Sequence, residues 1–563
     1  MNLTRRSVFG LGAAGAIEAA RLNAEAAQRI EGSYVDRKKG SHPFRREARG
    51  RLPHIFLITV DMISPDHYRP ERAPAVVMAL PNMRGLFADS VVFRNAFCVS
   101  PLCAPARGAL LTGRYPYILS NNERALDGHE FSLRASDVIF PEYLKAVGYV
   151  TKHAGKGHLG PQKFFDGFDE NADGWDRWDP PIRTDENYRN YLRSLGVKPQ
   201  RYSKTIRCLQ QDRKSPSHNL GGWVEQEDGK PFPMEAQYSY YLADRAVRKL
   251  DAALAQGEGG KPVYLQLDFF DPHQPFAIPA GLEAQERELR KALRLPASYG
   301  QTRKLDFRGA PDEPRIYELY KKYWGLYDQR TAEDYWVANA LQVEVVDRAL
   351  GLFLKALRER GIYDDALVVF TADHGEMNCR RALVDKGVYL YPEVLRVPLA
   401  VKMPRTAGAT PRQVDAPVSH LDIAPTLLNV AGVEPAERQD GAQLLPLLRG
   451  GTRQERPYLF ECGWHVGVNF ACGTQGRCSD GKQYLYSYNC ASLVDELYDL
   501  AADDPVNLAQ QPGFARQREE MIARLGAMLE NDPRWVAYWS SYRLDNYFTL
   551  QKRLQWGFRK ETS

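Results

Sequence analysis

A chain of 563 residues with 44% hydrophobic and 26% charged side chains has ordinary globular composition, which excludes a wholly disordered, collagen-like or small disulfide-stapled protein. Its 75 Lys and Arg against 70 Asp and Glu leave a net charge of +5 without long basic runs, so nothing calls for DNA, RNA or anionic lipid as a partner. No apolar stretch reaches the ~18–20 residues that span a bilayer, and no membrane span is expected.

At the N-terminus, Arg5 and Arg6 precede a weakly apolar, Gly/Ala-rich run from Gly10 to Ala20, with small residues at Ala24 and Ala26. This pattern resembles a twin-arginine export signal over residues 1–27 and places the mature chain in the periplasm or outside the cell. Glu18 interrupts the run, as it would in a merely basic, frayed terminus.

The run Ile55 to Val60 is short, continuous and β-branched, which predicts a strand buried on both faces. It ends at Asp61. A helical pattern from Ile139 to Val147, closed by Gly148, leads to a second strand at Tyr149 to Thr151, followed by Lys156 and His158. Tyr241 to Leu254 predicts a helix, and Val263 to Phe269 a third strand that ends just before Asp271, Pro272 and His273. A long helix over about Tyr335 to Arg360 feeds a fourth strand, Ala366 to Thr371, which runs into Asp373 and His374. Helices alternating with buried strands predict an α/β sheet. Two polar stretches, near residues 164–233 and 277–331, read as insertions shaping a mouth, although solvated loop fits most of their residues as well. After Gly451 the pattern changes to short strands at Tyr458 to Glu461, Gln483 to Tyr488 and Glu496 to Leu500, then a helix near Arg516 to Glu530. The division is therefore a main α/β domain over 50–451 and a smaller α+β domain over 452–563.

Eight cysteines are present, four of them crowded at Cys462, Cys472, Cys478 and Cys490. With no CxxC pair and no histidine at zinc-finger spacing, disulfides in an oxidising compartment are expected there, in one of three pairings.

Asp61, Lys156, His273, Asp373 and His374 all lie just past strand ends, the edge at which open α/β sheets bind ligands. Any one of them taken singly is more readily a turn residue, a cap or a satisfied histidine; five at one edge are harder to dismiss. Pro105, two residues past Cys103, can open a helix whose N-terminal amides would stabilise a sulfur anion or a derivative of it, and Arg107 adds a cation. Asp61, Asp373 and His374 supply hard oxygens and an imidazole, enough to hold a divalent cation against an anionic ester.

Cys103-Ala-Pro-Ala-Arg107 followed by Leu-Leu-Thr-Gly-Arg114 resembles the signature of the type I sulfatases of the alkaline phosphatase superfamily, and Gly155-Lys156-Gly157-His158-Leu159-Gly160 resembles their second signature. Pro272-His273-Gln274-Pro275, Thr371-Ala-Asp373-His374-Gly375, Lys386 before Arg396-Val-Pro-Leu399, Ser419 to Thr426 and Glu496 to Leu500 agree in the same order, from about Ile55 to Leu508. The resemblance implies a large central mixed β-sheet flanked by helices with the smaller C-terminal domain beside it. It also implies hydrolysis of a sulfuric ester, with a sulfated carbohydrate favoured by the export pattern.

By the same resemblance a maturation enzyme oxidises Cys103 to formylglycine, one hydroxyl of whose hydrate attacks sulfur in line. Loss of the proton from the second hydroxyl then expels sulfate, an exit that a serine sulfate lacks. Asp61, Asp373, His374 and residue 103 would hold the cation, calcium; Lys156 and Lys386 would neutralise sulfate oxygens; Arg107 would hold the formylglycine; His158 would hydrogen-bond its free hydroxyl; His273 would protonate the leaving oxygen. Met62 stands where many relatives carry a second acid, leaving the ion site one carboxylate lighter and keeping two other readings in view: a phosphonate monoester or phosphodiester hydrolase, and a catalytically silent protein that binds sulfated glycans. Trp175, Trp178, Tyr188 and Tyr191 could stack on a sugar ring, although local packing is the commoner use of aromatic residues.

Overall fold

The computed structural model describes residues 29–535 apart from 31–33, 38–39, 48–49, 70, 73–76, 120–127, 129–130, 161–163, 171–172, 211–213, 257–259, 303–312 and 490–491. The export pattern of residues 1–27 and Cys490 lie outside the described residues. No helix among those described is long and apolar enough to cross a membrane.

In chain order the main sheet contains β1 (Ile55–Val60), β2 (Val91–Phe93), β3 (Val150–Lys156), β4 (Gly174–Trp175), β5 (Val263–Phe269), β6 (Leu367–Ala372), β7 (Leu399–Lys402) and β8 (Arg412–Val414). They lie side by side as β8-β2-β7-β6-β1-β5-β3-β4, parallel except for β7, which runs against both neighbours. The helices used below are α1 (Cys103–Thr112), α2 (Phe140–Ala146), α3 (Tyr238–Gln256), α4 (Gln329–Glu359), α5 (Ile423–Val430) and α6 (Ala515–Glu530). Every residue of β1, β3, β5 and β6 is buried, because helices cover both faces. Phe56 meets Phe353 of α4 on one face, whereas Tyr264, which pairs with Ile55 and so has the opposite parity, meets Phe140 of α2 on the other. The mixed sheet flanked by helices agrees with the expected fold.

A second, antiparallel sheet follows: β9 (Leu459–Trp464), β10 (Val468–Arg477), β11 (Gln483–Asn489) and β12 (Val494–Asp499), in that order, with α6 packed on β10 and β11. Its cysteines correct the disulfide expectation. Cys462 pairs with Ala471 and Cys472 with Glu461, so consecutive pleats send the two sulfurs to opposite faces, and no disulfide joins two described cysteines.

The polar stretches also fold more than a solvated loop would. Residues Gln200–Leu209 and Pro216–Gln226 form an antiparallel hairpin, and Phe276–Ile278 adds to it in parallel. Gly221 permits that approach: its φ is +80°, and a Cβ there would lie 2.2 Å from the Phe276 backbone.

A buried ionic cluster ties the sheet to the chain after β12. Asp66 accepts from Arg380 Nη2 at 2.9 Å and Asn378 Nδ2 at 2.9 Å, and Arg72 bonds buried Glu393 at 3.1 Å and, at the cluster's edge, exposed Asp503 at 2.9 Å. Burial pushes the Asp66 carboxyl up, but Arg380 and Arg72 outweigh it and hold the group at about 2. A depressed carboxylate stabilises the fold fully above its ordinary 3.8 and loses that contribution as pH falls through about 2, a span worth about 2 kcal/mol. Urea titrations at pH 7 and pH 3 should therefore show the wild type losing more stability over that interval than Asp66→Asn; equal losses would remove Asp66 from the acid response.

Candidate active site

Val60 pairs with both Phe269 and Ala372, so the parallel strands end level. The next residues, Asp61 and Asp373, meet at that edge. His374 follows Asp373, Lys156 closes β3, and His273 lies four residues past β5. α1 brings Cys103 to the same place as its first residue, after extended Leu102; Pro105 sits in the first turn, where a missing N–H costs nothing, and Gly113 at φ +68° ends the helix.

One donor atom from each of Asp61, Cys103, Asp373 and His374 lies within 4.8 Å of all the others, and all four residues are buried. Cys103 Sγ is 3.2 Å from His374 Nε2 and 3.8 Å from Asp61 Oδ1. His374 Nδ1 donates to the Gly375 carbonyl at 2.9 Å, which turns Nε2 toward the carboxylates, 3.8 Å from Asp61 Oδ1 and 3.8 Å from Asp373 Oδ1. Two carboxylates, an imidazole nitrogen and residue 103 fit a divalent cation. Met62 adds no carboxylate: at φ +62° its backbone N–H bonds Asp373 Oδ1 at 3.0 Å.

Cations surround this cluster. Arg107 reaches Asp373 Oδ2 through Nε at 2.9 Å, the Lys156 carbonyl at 2.9 Å and Asp268 at 3.4 Å through Nη1, with Nη2 3.9 Å from Asp61. The Lys156 ammonium donates to Asp61 Oδ2, and both side chains are fully buried. Burial and the neighbouring sulfur push the Asp61 carboxyl up, yet Lys156, His273 and Arg107 hold it below the usual range; Asp373 is raised by burial and by Asp61 beside it. Burial pulls His374 down, but Asp373 and Cys103 win and hold it at about 9, so a cation and a proton compete for Nε2. Burial likewise opposes ionisation of Cys103, but Lys156, Lys386 and His374 draw its pKa well below that of a free thiol. His158, at φ +58° and hydrogen-bonded to Cys103, is pushed by burial to about 4 and is neutral near pH 7.

His273 hydrogen-bonds the Gln274 carbonyl through Nδ1, and its Nε2 lies 2.5 Å from Lys386 Nζ, which also bonds Asp385 at 3.1 Å. Burial opposes the charge on Lys386, but Asp385 outweighs it and raises the ammonium pKa above its ordinary value. Cys103, His158, His273 and Lys386 open onto a cavity of about 190 Å³, whose outer wall includes Trp178, His218, Tyr323, Trp324 and His465. Of the four aromatic residues singled out in the sequence, Trp178 alone lines this cavity. Trp175 and Tyr188 are buried against Tyr238, and Tyr191 packs on Tyr241.

The sequence reading missed Asp268, which accepts from Thr59, Gln266 at 2.8 Å and His153 at 2.8 Å while steering Arg107. The available signal was two polar residues, Gln266 and Asp268, inside an otherwise apolar strand. Gly155 makes the contact between β3 and β5 possible, since a Cβ there would sit 1.9 Å from the Asp268 carbonyl oxygen.

Residues 53–433 match the sulfatase family profile, and residues 381–531 match the profile for the C-terminal region of N-sulphoglucosamine sulphohydrolase. The chain is similar to a choline-sulfatase of Rhizobium meliloti, 27% identical over 82% of this chain and 83% of the relative. It is also similar to an N-acetylglucosamine-6-O-sulfatase of Bacteroides thetaiotaomicron, 24% identical over 79% and 81% of the two chains. Its fold is that of a phosphonate monoester hydrolase from Silicibacter pomeroyi, with a TM-score of 0.64, 20% identity and coverage of 85% and 95%.

Proposed function

Given that the chain belongs to the sulfatase family of the alkaline phosphatase superfamily and is a sulfuric ester hydrolase, we propose that it releases sulfate from a sulfated carbohydrate in the periplasm or outside the cell, using a formylglycine made from Cys103 by a maturation enzyme, and calcium. The observation that carries this reading is the meeting of Cys103 with Asp61, Asp373 and His374 at the head of α1. When present, the cation and the hydrated aldehyde supply charge neutralisation and a nucleophile with a second hydroxyl.

The side chains around them do the rest. Arg107 fixes Asp373 and the end of β3 in one grip, and Lys156 fixes Asp61, so the carboxylates keep their spacing although like charges crowd there. His158, neutral, hydrogen-bonds the side chain of residue 103. Lys386 faces the ester's negative oxygens, and the proton it shares with His273 Nε2 is delivered to the departing alcohol oxygen. A sugar is favoured by the Bacteroides relative, and the aromatic wall of the cavity offers faces for its C–H bonds. The paired arginines near the N-terminus support export.

Turnover of monosulfated sugars, an aryl sulfate, phenyl phosphonate and a phosphodiester tests the reading, after co-expression with a formylglycine-generating enzyme. Sulfate esters should exceed the phosphorus substrates by at least about tenfold in kcat/KM, and chelation should abolish the activity. Mass spectrometry of the peptide holding residue 103 should show the aldehyde. Faster phosphonate turnover would support the phosphonate hydrolase instead, and an unmodified thiol without turnover would support the silent glycan-binding protein.

A further inference from the structure

We propose that His218, in the insertion hairpin, is a specificity-determining residue whose Nε2 accepts a hydrogen bond from a hydroxyl of the sugar carrying the sulfate; this rests on the carbohydrate reading above. His218 lines the same cavity as Cys103, His273 and Lys386. Ser217 Oγ lies 2.7 Å from His218 Nδ1 and 3.1 Å from the Tyr323 carbonyl. Both contacts are met together when the hydroxyl hydrogen goes to the carbonyl and Nδ1 donates its own to Ser217 Oγ. In that tautomer the polar atom that neutral His218 has left to offer is a bare acceptor, Nε2. Burial outweighs the upward pull of the Tyr323 backbone and lowers its pKa below the ordinary 6.5, which keeps the ring neutral near pH 7.

The surroundings fit a sugar ring. The imidazole packs on Tyr323 at 4.1 Å and Trp324 at 5.3 Å between centroids, while Trp178 stands 6.2 Å from His273. Aromatic faces take the C–H face of a pyranose, and an isolated acceptor takes one of its hydroxyls. A volume of about 190 Å³ is smaller than the roughly 300–1,000 Å³ that houses drug-sized ligands, and it suits one ring. The hairpin holding His218 is anchored to Phe276–Ile278, three residues beyond His273, so the acceptor keeps a fixed position relative to the reacting end.

The test is equilibrium binding, by calorimetry, of the methylene-sulfonate analogue of a monosulfated hexose and of a set of analogues each lacking one hydroxyl. Wild type, His218→Ala and His218→Gln are compared. One deoxy analogue should bind wild type about tenfold more weakly than the parent, and His218→Ala should bind that analogue and the parent equally. His218→Gln, which keeps an acceptor, should recover part of the discrimination. An identical penalty for every analogue in wild type and His218→Ala, or no binding of the sugars by wild type, would overturn the proposal. Because the analogues are not hydrolysed, this result is read separately from the turnover that tests the carbohydrate reading itself.

Discussion

Cys103→Ser should lower steady-state sulfate release by about 10³-fold or more while leaving the thermal midpoint close to that of the wild type. The substitution exchanges one small atom at the first position of α1, and the carboxylates and cations around it keep their mutual contacts, so the fold loses little. The chemistry loses its exit. A serine oxygen near Asp61, Asp373 and His374 can attack sulfur once, but the resulting ester has no second hydroxyl with which to expel sulfate and must wait for water at a buried, anionic centre. A stoichiometric burst followed by a stall is therefore expected, with the sulfate found by mass spectrometry on the introduced serine. Sustained turnover by Cys103→Ser at the wild-type rate would count against the proposed role of residue 103.

What was legible beforehand followed from local pattern. β1 and β5 have the bounds their mostly apolar runs predict, because a strand covered on both faces is apolar except where a buried partner meets its polar side chains, as at Asp268. β3 extends past Thr151 to Lys156, through Lys152 and His153, which break the apolar pattern. Their burial is offset by partners distant in sequence: Glu170 lies 3.8 Å from Lys152, and Asp268 lies 2.8 Å from His153. One-dimensional periodicity carries no trace of such pairs. β10 was missed because Gly473 and Gly476 dilute its strand pattern, and the insertion hairpin was missed because its strands are rich in polar residues and Gly221 and Gly222 interrupt the second. The same division runs through the site. Residues placed directly at strand ends or at the head of α1 were found from the sequence, and the structure brings Asp61, Cys103, Asp373 and His374 together. Asp268 showed only as a polar break in β5, and the wall of Trp178, His218, Tyr323 and Trp324 depends on how the insertions dock, which no spacing reveals.

Arg107→Ala should be the most damaging single change to the fold of the site, costing about 3–5 kcal/mol in denaturant unfolding together with all measurable turnover. Arg107 is buried, and its guanidinium is the shared partner of Asp373, Asp268 and the Lys156 carbonyl. Without it two carboxylates keep their burial and lose a counter-charge, and Asp373 is left facing Asp61. Arg107→Lys should recover little, since a single ammonium on a flexible stem cannot span acceptors that the planar fork reaches at once. The two variants thus separate charge from geometry. Addition of calcium should raise the unfolding midpoint of Arg107→Ala by more than it raises that of the wild type, because a bound cation offsets the repulsion that the missing guanidinium exposes. An unchanged midpoint and unchanged turnover in Arg107→Ala would show that Lys156 alone holds the carboxylates in place, and would remove Arg107 from the proposed machinery.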